Sequence, residues 1–216
     1  MITFEEYLSK VTDHYTSKEY EPELMKAKKE FFGFIGSVHE EDPFFESYMT
    51  AFIEWYIFAR DMTNKDLPPI RLFYRDQVQA LPPEEKTIYE DFTKFRHSIF
   101  IAKKVKPSLL VVHDLYANEK ITIEHNFPVA GFNAGDIFEA ILVPFRGQLT
   151  FTKTFFFHPQ EVKRFIVKEL KKVRQLEQKI LLKVILRFRR LRLRFDRYSH
   201  VSPTQIYTEE EFNKYA

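Results

Sequence analysis

The sequence predicts an α+β protein with an N-terminal helical layer, a small antiparallel β-sheet or partly open barrel, and a long basic amphipathic C-terminal helix. Three observations carry that expectation. Apolar residues recur at helical spacing through residues 1–98. Between 99 and 156 they give way to short β-branched runs separated by turn residues. From 157 to 202 a rhythm of threes and fours returns, followed by an acidic tail at 203–216. A chain of 216 residues suits one compact domain with an extension.

The first helix is expected to open at Thr3, with Glu6 three residues on as the second half of a capping box. Phe4, Tyr7, Leu8 and Val11 then share one face. A second helix follows Pro22 and carries Leu24, Met25, Phe31, Phe32 and Ile35, with Gly33 and Gly36 weakening its end. After the loop His39–Pro43, a third helix from Phe44 to Ala59 lines up Phe45, Met49, Phe52, Ile53, Tyr56 and Ile57. Pro68-Pro69 breaks the pattern. A short helix is expected over 70–77, and Leu81-Pro82-Pro83-Glu84-Glu85 starts another that runs to about Phe95. Five short strands are expected next, around 99–101, 109–112, 120–124, 137–143 and 148–154. The last two are expected to join as a hairpin across Arg146-Gly147. The apolar series Val162, Ile166, Leu170, Val173, Leu176, Ile180, Val184, Phe188, Leu191, Phe195 is longer than most globular helices. A kinked, divided or coiled-coil helix all fit it. Leu191 to Phe195 also alternates with period two, which leaves a strand there as an alternative.

Charge is unevenly spread. Residues 1–160 sum to −6, residues 161–200 to +10 and residues 201–216 to −2, for a net +2. Such a basic block seeks an acidic partner or lies against the acidic part of its own chain. The chain has 24 Phe and 11 Tyr, enough aromatic surface for a large core. It has no cysteine, which excludes disulfides, thiolate nucleophiles and Cys-based zinc or iron–sulfur sites, and points to a reducing, cytoplasmic home. The acidic start MITFEEYLSK is unlike a signal peptide, and no apolar run reaches the ~18 residues of a membrane span.

Phe52-Ile53-Glu54-Trp55-Tyr56, the Leu-Pro-Pro-Glu-Glu run at 81–85, Phe95-Arg96-His97-Ser98-Ile99-Phe100 and His113-Asp114-Leu115-Tyr116 together resemble an uncharacterised group of bacterial proteins, some of which carry a C-terminal SEC-C zinc-binding motif. The resemblance covers roughly residues 45–145. It implies helices followed by a sheet, and no activity. With no cysteine, the SEC-C zinc site itself cannot exist here.

Motifs that carry known chemistry are mostly absent from the sequence. No Walker A loop, dinucleotide fingerprint, nucleophile elbow or H-E-x-x-H occurs, and no cofactor is expected. No two histidines lie three to five residues apart, and the His39-Glu40-Glu41-Asp42 run reads as a solvated loop rather than a metal site. His97 and Asp114 on neighbouring strands could form a proton-transfer pair. The plainer reading makes His97 a helix-end cation and Asp114 a turn residue. Arg187, Arg190, Arg194 and Arg197 fall on one side of the C-terminal helix, where they could bind phosphate or an acidic partner, or cover apolar surface with their stems. Phe155-Phe156-Phe157 is expected in the core, and Lys103-Lys104-Val105-Lys106 in solvent. The leading expectation is a non-catalytic interaction or scaffold protein that docks or dimerises through its long helix. Nucleic-acid binding through the arginines and a His97/Asp114 enzyme are the alternatives.

Overall fold

In the computed structural model, which describes residues 2–124, 131–174 and 176–214, the N-terminal rhythm becomes α1 (Phe4–Tyr15), α2 (Glu21–Ile35), α3 (Phe45–Phe58), α4 (Pro69–Gln77) and α5 (Pro83–Phe92). Thr3 caps α1 as its sequence demands: Glu6 N donates to the Thr3 hydroxyl and the Glu6 carboxylate accepts from Thr3 N. Prolines at the first turns of α4 and α5 supply the fixed φ and remove an N–H that has no partner there. The fold is α+β, with an antiparallel sheet and a helical C-terminal region.

The chain divides into two units, residues 1–33, 38–96 and 143–154, and residues 34–37, 97–142 and 155–216. This differs from the linear division, because 143–154 join the helices rather than the rest of the β region. The first unit packs rings: Phe4 against Phe92 and Phe145, Tyr7 against Tyr89, and Phe31 against Trp55. Buried tyrosines satisfy their hydroxyls on backbone, Tyr56 donating to Tyr15 O at 3.1 Å and Tyr89 to Tyr7 O at 3.4 Å. Arg60, 7% exposed, is held by Glu23 and Glu30, each at 2.6 Å.

The second unit contains most of the sheet: β1 (Arg96–Lys106), β2 (Leu109–Asp114), β3 (Glu119–Glu124), β4 (Ile137–Phe145) and β6 (Phe156–His158). The order is β3-β2-β1-β4, with β6 also on β4. The last residues of β4 continue into the first unit, where they pair with β5 (Gln148–Phe151). Arg146 and Gly147, at φ 50° and 77°, form the tip of that hairpin, as a two-residue connection with both φ positive requires. β1 begins at Arg96, so His97 is a strand residue rather than the end of a helix. The third Phe of 155–157 and its neighbours form strand β6 instead of opening a helix.

The expected long helix over 157–202 is divided. A 3₁₀ turn (Gln160–Val162) leads into α6 (Lys163–Val173), and α7 (Gln178–Arg197) follows after a short connection. Extending the α6 rhythm would turn Leu176 and Ile180 inward. They are instead 45% and 37% exposed, while Leu181 and Ile185 are buried. The apolar pattern shifts phase there, and the break lets Ile166 and Leu170 of α6 join Leu181, Ile185 and Phe188 of α7 in one cluster. Tyr116 holds the connection by donating to Leu176 O at 2.7 Å, and Arg174 by donating to Leu115 O at 2.9 Å. The acidic tail is structured as well: α8 (Pro203–Ile206) and α9 (Glu209–Asn213) add Ile206, Tyr207 and Phe212 to the same cluster. Among the described residues, no helix is long and apolar enough to cross a membrane.

Candidate functional site

The four arginines singled out from sequence do share a face of α7, but each is engaged by the second unit's own chain, with Arg190 buried and Arg197 still exposed. Arg187 lies over the Phe212 ring, 5.5 Å from its centroid, and reaches Asn213 Oδ1 at 3.5 Å. Arg190, 6% exposed, donates to the carbonyls of Glu211 at 2.6 Å and Phe212 at 3.3 Å. Those are last-turn carbonyls of α9, which have no partner within the helix and favour a cation. Arg194 pairs with the Glu211 carboxylate, and Arg197 donates to Ser37 O. Of the two destinations the basic block allowed, these guanidiniums take the internal one.

His97 and Asp114 are not brought together. Successive strand residues point to opposite faces, so His97 shares a face with Ile99 and Ile101, and Ser98 lies on the other. Asp114 accepts from the Ser98 hydroxyl at 2.6 Å and from the backbone N–H groups of Tyr116 and Ala117 at 2.9 and 3.1 Å. It is the turn residue of the plainer reading. His97 Nε2 instead meets Glu139 Oε1 at 2.7 Å.

Glu139, which the sequence reading passed over, is the centre of a buried polar cluster. Arg189 of α7 grips it through Nε to Oε2 at 3.3 Å and Nη2 to Oε1, and stacks over Phe156 at 5.0 Å. Beside it on β6, His158 Nδ1 lies 2.9 Å from the Tyr207 hydroxyl. All of these groups are almost wholly buried. Burial alone would raise the Glu139 carboxyl, but Arg189 and the hydrogen bond from His97 outweigh it and hold the group at about 2. Burial pushes His97 down against the pull of Glu139, and it pushes His158 down to about 3, with Arg192 and Arg189 adding to the effect. Both rings are therefore neutral at pH 7. His97 donates its Nε2 proton to Glu139, and its Nδ1 has no hydrogen-bond partner among the described residues. A signal for this cluster was present in the sequence. Glu139 interrupts the apolar run Ile137–Val143, and Arg189 falls four residues after Ile185 on the buried face. Two charges sunk in apolar faces must find each other. With its members almost wholly buried, the cluster ties β1, β4 and α7 together.

The exposed charge lies one helix earlier than expected. On the outward side of α6, Lys163, Arg164, Val167, Lys168, Lys171 and Lys172 line a shallow concavity. The spacing i, i+1, i+4, i+5, i+8, i+9 is that of one helical face. Lys168 pairs with Glu209, and Lys172 with Glu169 at 2.7 Å. Lys163, Arg164 and Lys171 engage no side-chain partner among the described residues. No group of three or more His, Asp or Glu among the described residues is placed to hold a metal ion, and His39 N and Asp42 Oδ2 simply close their own loop at 2.9 Å.

The model of a family described as Family of unknown function (DUF7986) matches residues 5–180. No curated protein and no solved structure matches the chain.

Proposed function

This chain belongs to DUF7986, a family whose own function is unknown, and from that premise we propose that it is a non-catalytic docking protein that offers the outward face of α6 to an acidic protein partner. The observation that carries the proposal is the row Lys163, Arg164 and Lys171 around the half-buried Val167. The α7 arginines are engaged within the second unit, so the docking role expected of the helix over 157–202 is assigned to α6, the first of the two helices that fill that stretch. Two features favour a protein over a nucleic acid. Glu169 and Glu209 pair two of the row's cations, which lowers the charge density that phosphate binding needs. The row also lacks an aromatic on which a base could stack, and offers aliphatic Val167 instead.

The test measures fluorescence anisotropy with two probes, a glutamate-rich peptide carrying one leucine and a DNA duplex, at about 50 and about 200 mM salt. The peptide is expected to bind. Replacing Lys163, Arg164 and Lys171 together with Glu should weaken it by roughly tenfold or more, since each exposed pair contributes up to about 1 kcal/mol. Duplex binding that falls steeply with salt, without peptide binding, would hand the face to nucleic acid. Binding of neither probe would end the docking proposal.

A further inference from the structure

We propose that the cleft between α1 and α3, within the first unit, is a binding site for a small organic cation with an apolar body. The cleft has a volume of about 230 Å³. That is below the roughly 300 Å³ at which drug-sized sites begin, so its occupant is small. Phe4, Leu8, Ile53, Ile57 and Phe58 supply its apolar wall. Glu54, only 8% exposed, is the charged group of the floor. Its Oε2 accepts from the Thr152 hydroxyl and its Oε1 from Lys153 N, both at 3.0 Å, so the carboxylate is fixed in place before any ligand arrives.

The polar lining has one character. Ser9, Thr12 and Thr50 each donate the hydroxyl hydrogen to their own helix, to the carbonyls of Glu6 at 3.0 Å, Leu8 at 3.1 Å and Glu46 at 2.9 Å. Their oxygens therefore act toward the cleft as acceptors. Glu5 and Asp13 on the rim add carboxylates, and Lys153 is the only cation in the lining. A wall of acceptors with three carboxylates against one ammonium selects N–H donors and positive charge, and it disfavours anions. The apolar wall selects against a bare inorganic cation. An alkyl- or arylammonium of a few carbons satisfies both.

The experiment is NMR titration of the full chain with 2-phenylethylammonium, 2-phenylethanol and 3-phenylpropionate, which share a body and differ in head group. The ammonium is expected to shift the amides of α1 and α3, with an affinity at least roughly tenfold above the alcohol and no saturable binding of the carboxylate. Thr50→Phe, at an exposed position, should fill the cleft and abolish binding with the fold intact. Asp13→Asn should weaken the ammonium alone. Equal response to all three probes, no response to any, or undiminished binding in folded Thr50→Phe overturns the proposal. The Lys163, Arg164 and Lys171 variant should bind the ammonium normally, so this site and the α6 face succeed or fail separately.

Discussion

Arg189 and Glu139 meet between a β-strand and a helix, with side chains 3% and 0% exposed. An isolated charge in such a place is costly, and so the pair resists removal of one member more than removal of both. Arg189→Met should cost about 3–5 kcal/mol in urea unfolding, because it leaves a buried carboxylate beside a neutral imidazole. Adding Glu139→Leu to that variant should recover most of the loss. A double variant no more stable than the single would show that the pair's value lies elsewhere, in the His97 contact. Single residues were only partly legible in the sequence. The Thr3–Glu6 capping box depends on neighbours and could be seen directly. The partner of His97 lies 42 residues away, and only the register of β4 against β1 decides that it is Glu139 and not Asp114.

The C-terminal region shows why a long amphipathic pattern is not yet a helix length. The shift of phase near Leu176 was written in the sequence as Ile180-Leu181, two apolar residues of which only the second is buried. Periodicity alone offers no means of choosing between them. The acidic tail was legible as charge but not as structure, since α8 and α9 are short and gain their stability by packing. Thr208 caps α9 by accepting from Glu211 N at 3.2 Å, and Phe212 sits 4.7 Å from the Phe188 ring. Phe212→Ala should therefore cost about 3–5 kcal/mol by thermal or urea unfolding, while Thr208→Ala should cost about 1 kcal/mol. Loosening α9 also uncovers Arg187, Arg190 and Arg194. A chain ending at Tyr207 is expected to elute from a heparin column at higher salt than the full chain. Unchanged elution would mean that those guanidiniums find other partners when the tail is gone.

Taken across the two units, charge is separated: the first holds 14 Lys and Arg against 19 Asp and Glu, and the second 19 against 12. Part of the acid response follows not from those totals but from three buried groups of the second unit. Well above pH 6.5, His97 and His158 are neutral whether the chain is folded or not. As pH falls, the unfolded chain takes protons at the ordinary histidine value of 6.5, while folded His158 resists until about 3 and His97 is displaced in the same direction. The unfolded state thus binds more protons through this window, and stability rises with pH across it. Glu139 acts in the same sense lower down, because its contribution is present above the ordinary value of 4.5 and is lost as pH falls toward about 2. The buried His158 ring should add up to roughly 1.4 kcal/mol per pH unit to the slope of unfolding free energy below about pH 6, and His97 acts in the same direction. Of the groups facing His158, Glu139 on β4 favours a charged ring, but burial together with Arg192 and Arg189 on α7 outweighs it, and Tyr207 after α8 meets the ring as a neutral hydroxyl. His158→Gln keeps a polar group near Tyr207 and cannot titrate. Urea unfolding at pH 5 and pH 7 is expected to show a stability difference smaller by about 1–2 kcal/mol in His158→Gln than in the natural chain, whatever the variant does to stability at pH 7 itself. An unchanged difference would mean that His158 takes up its proton while folded, and that the cluster around Glu139 is open enough to admit a charge.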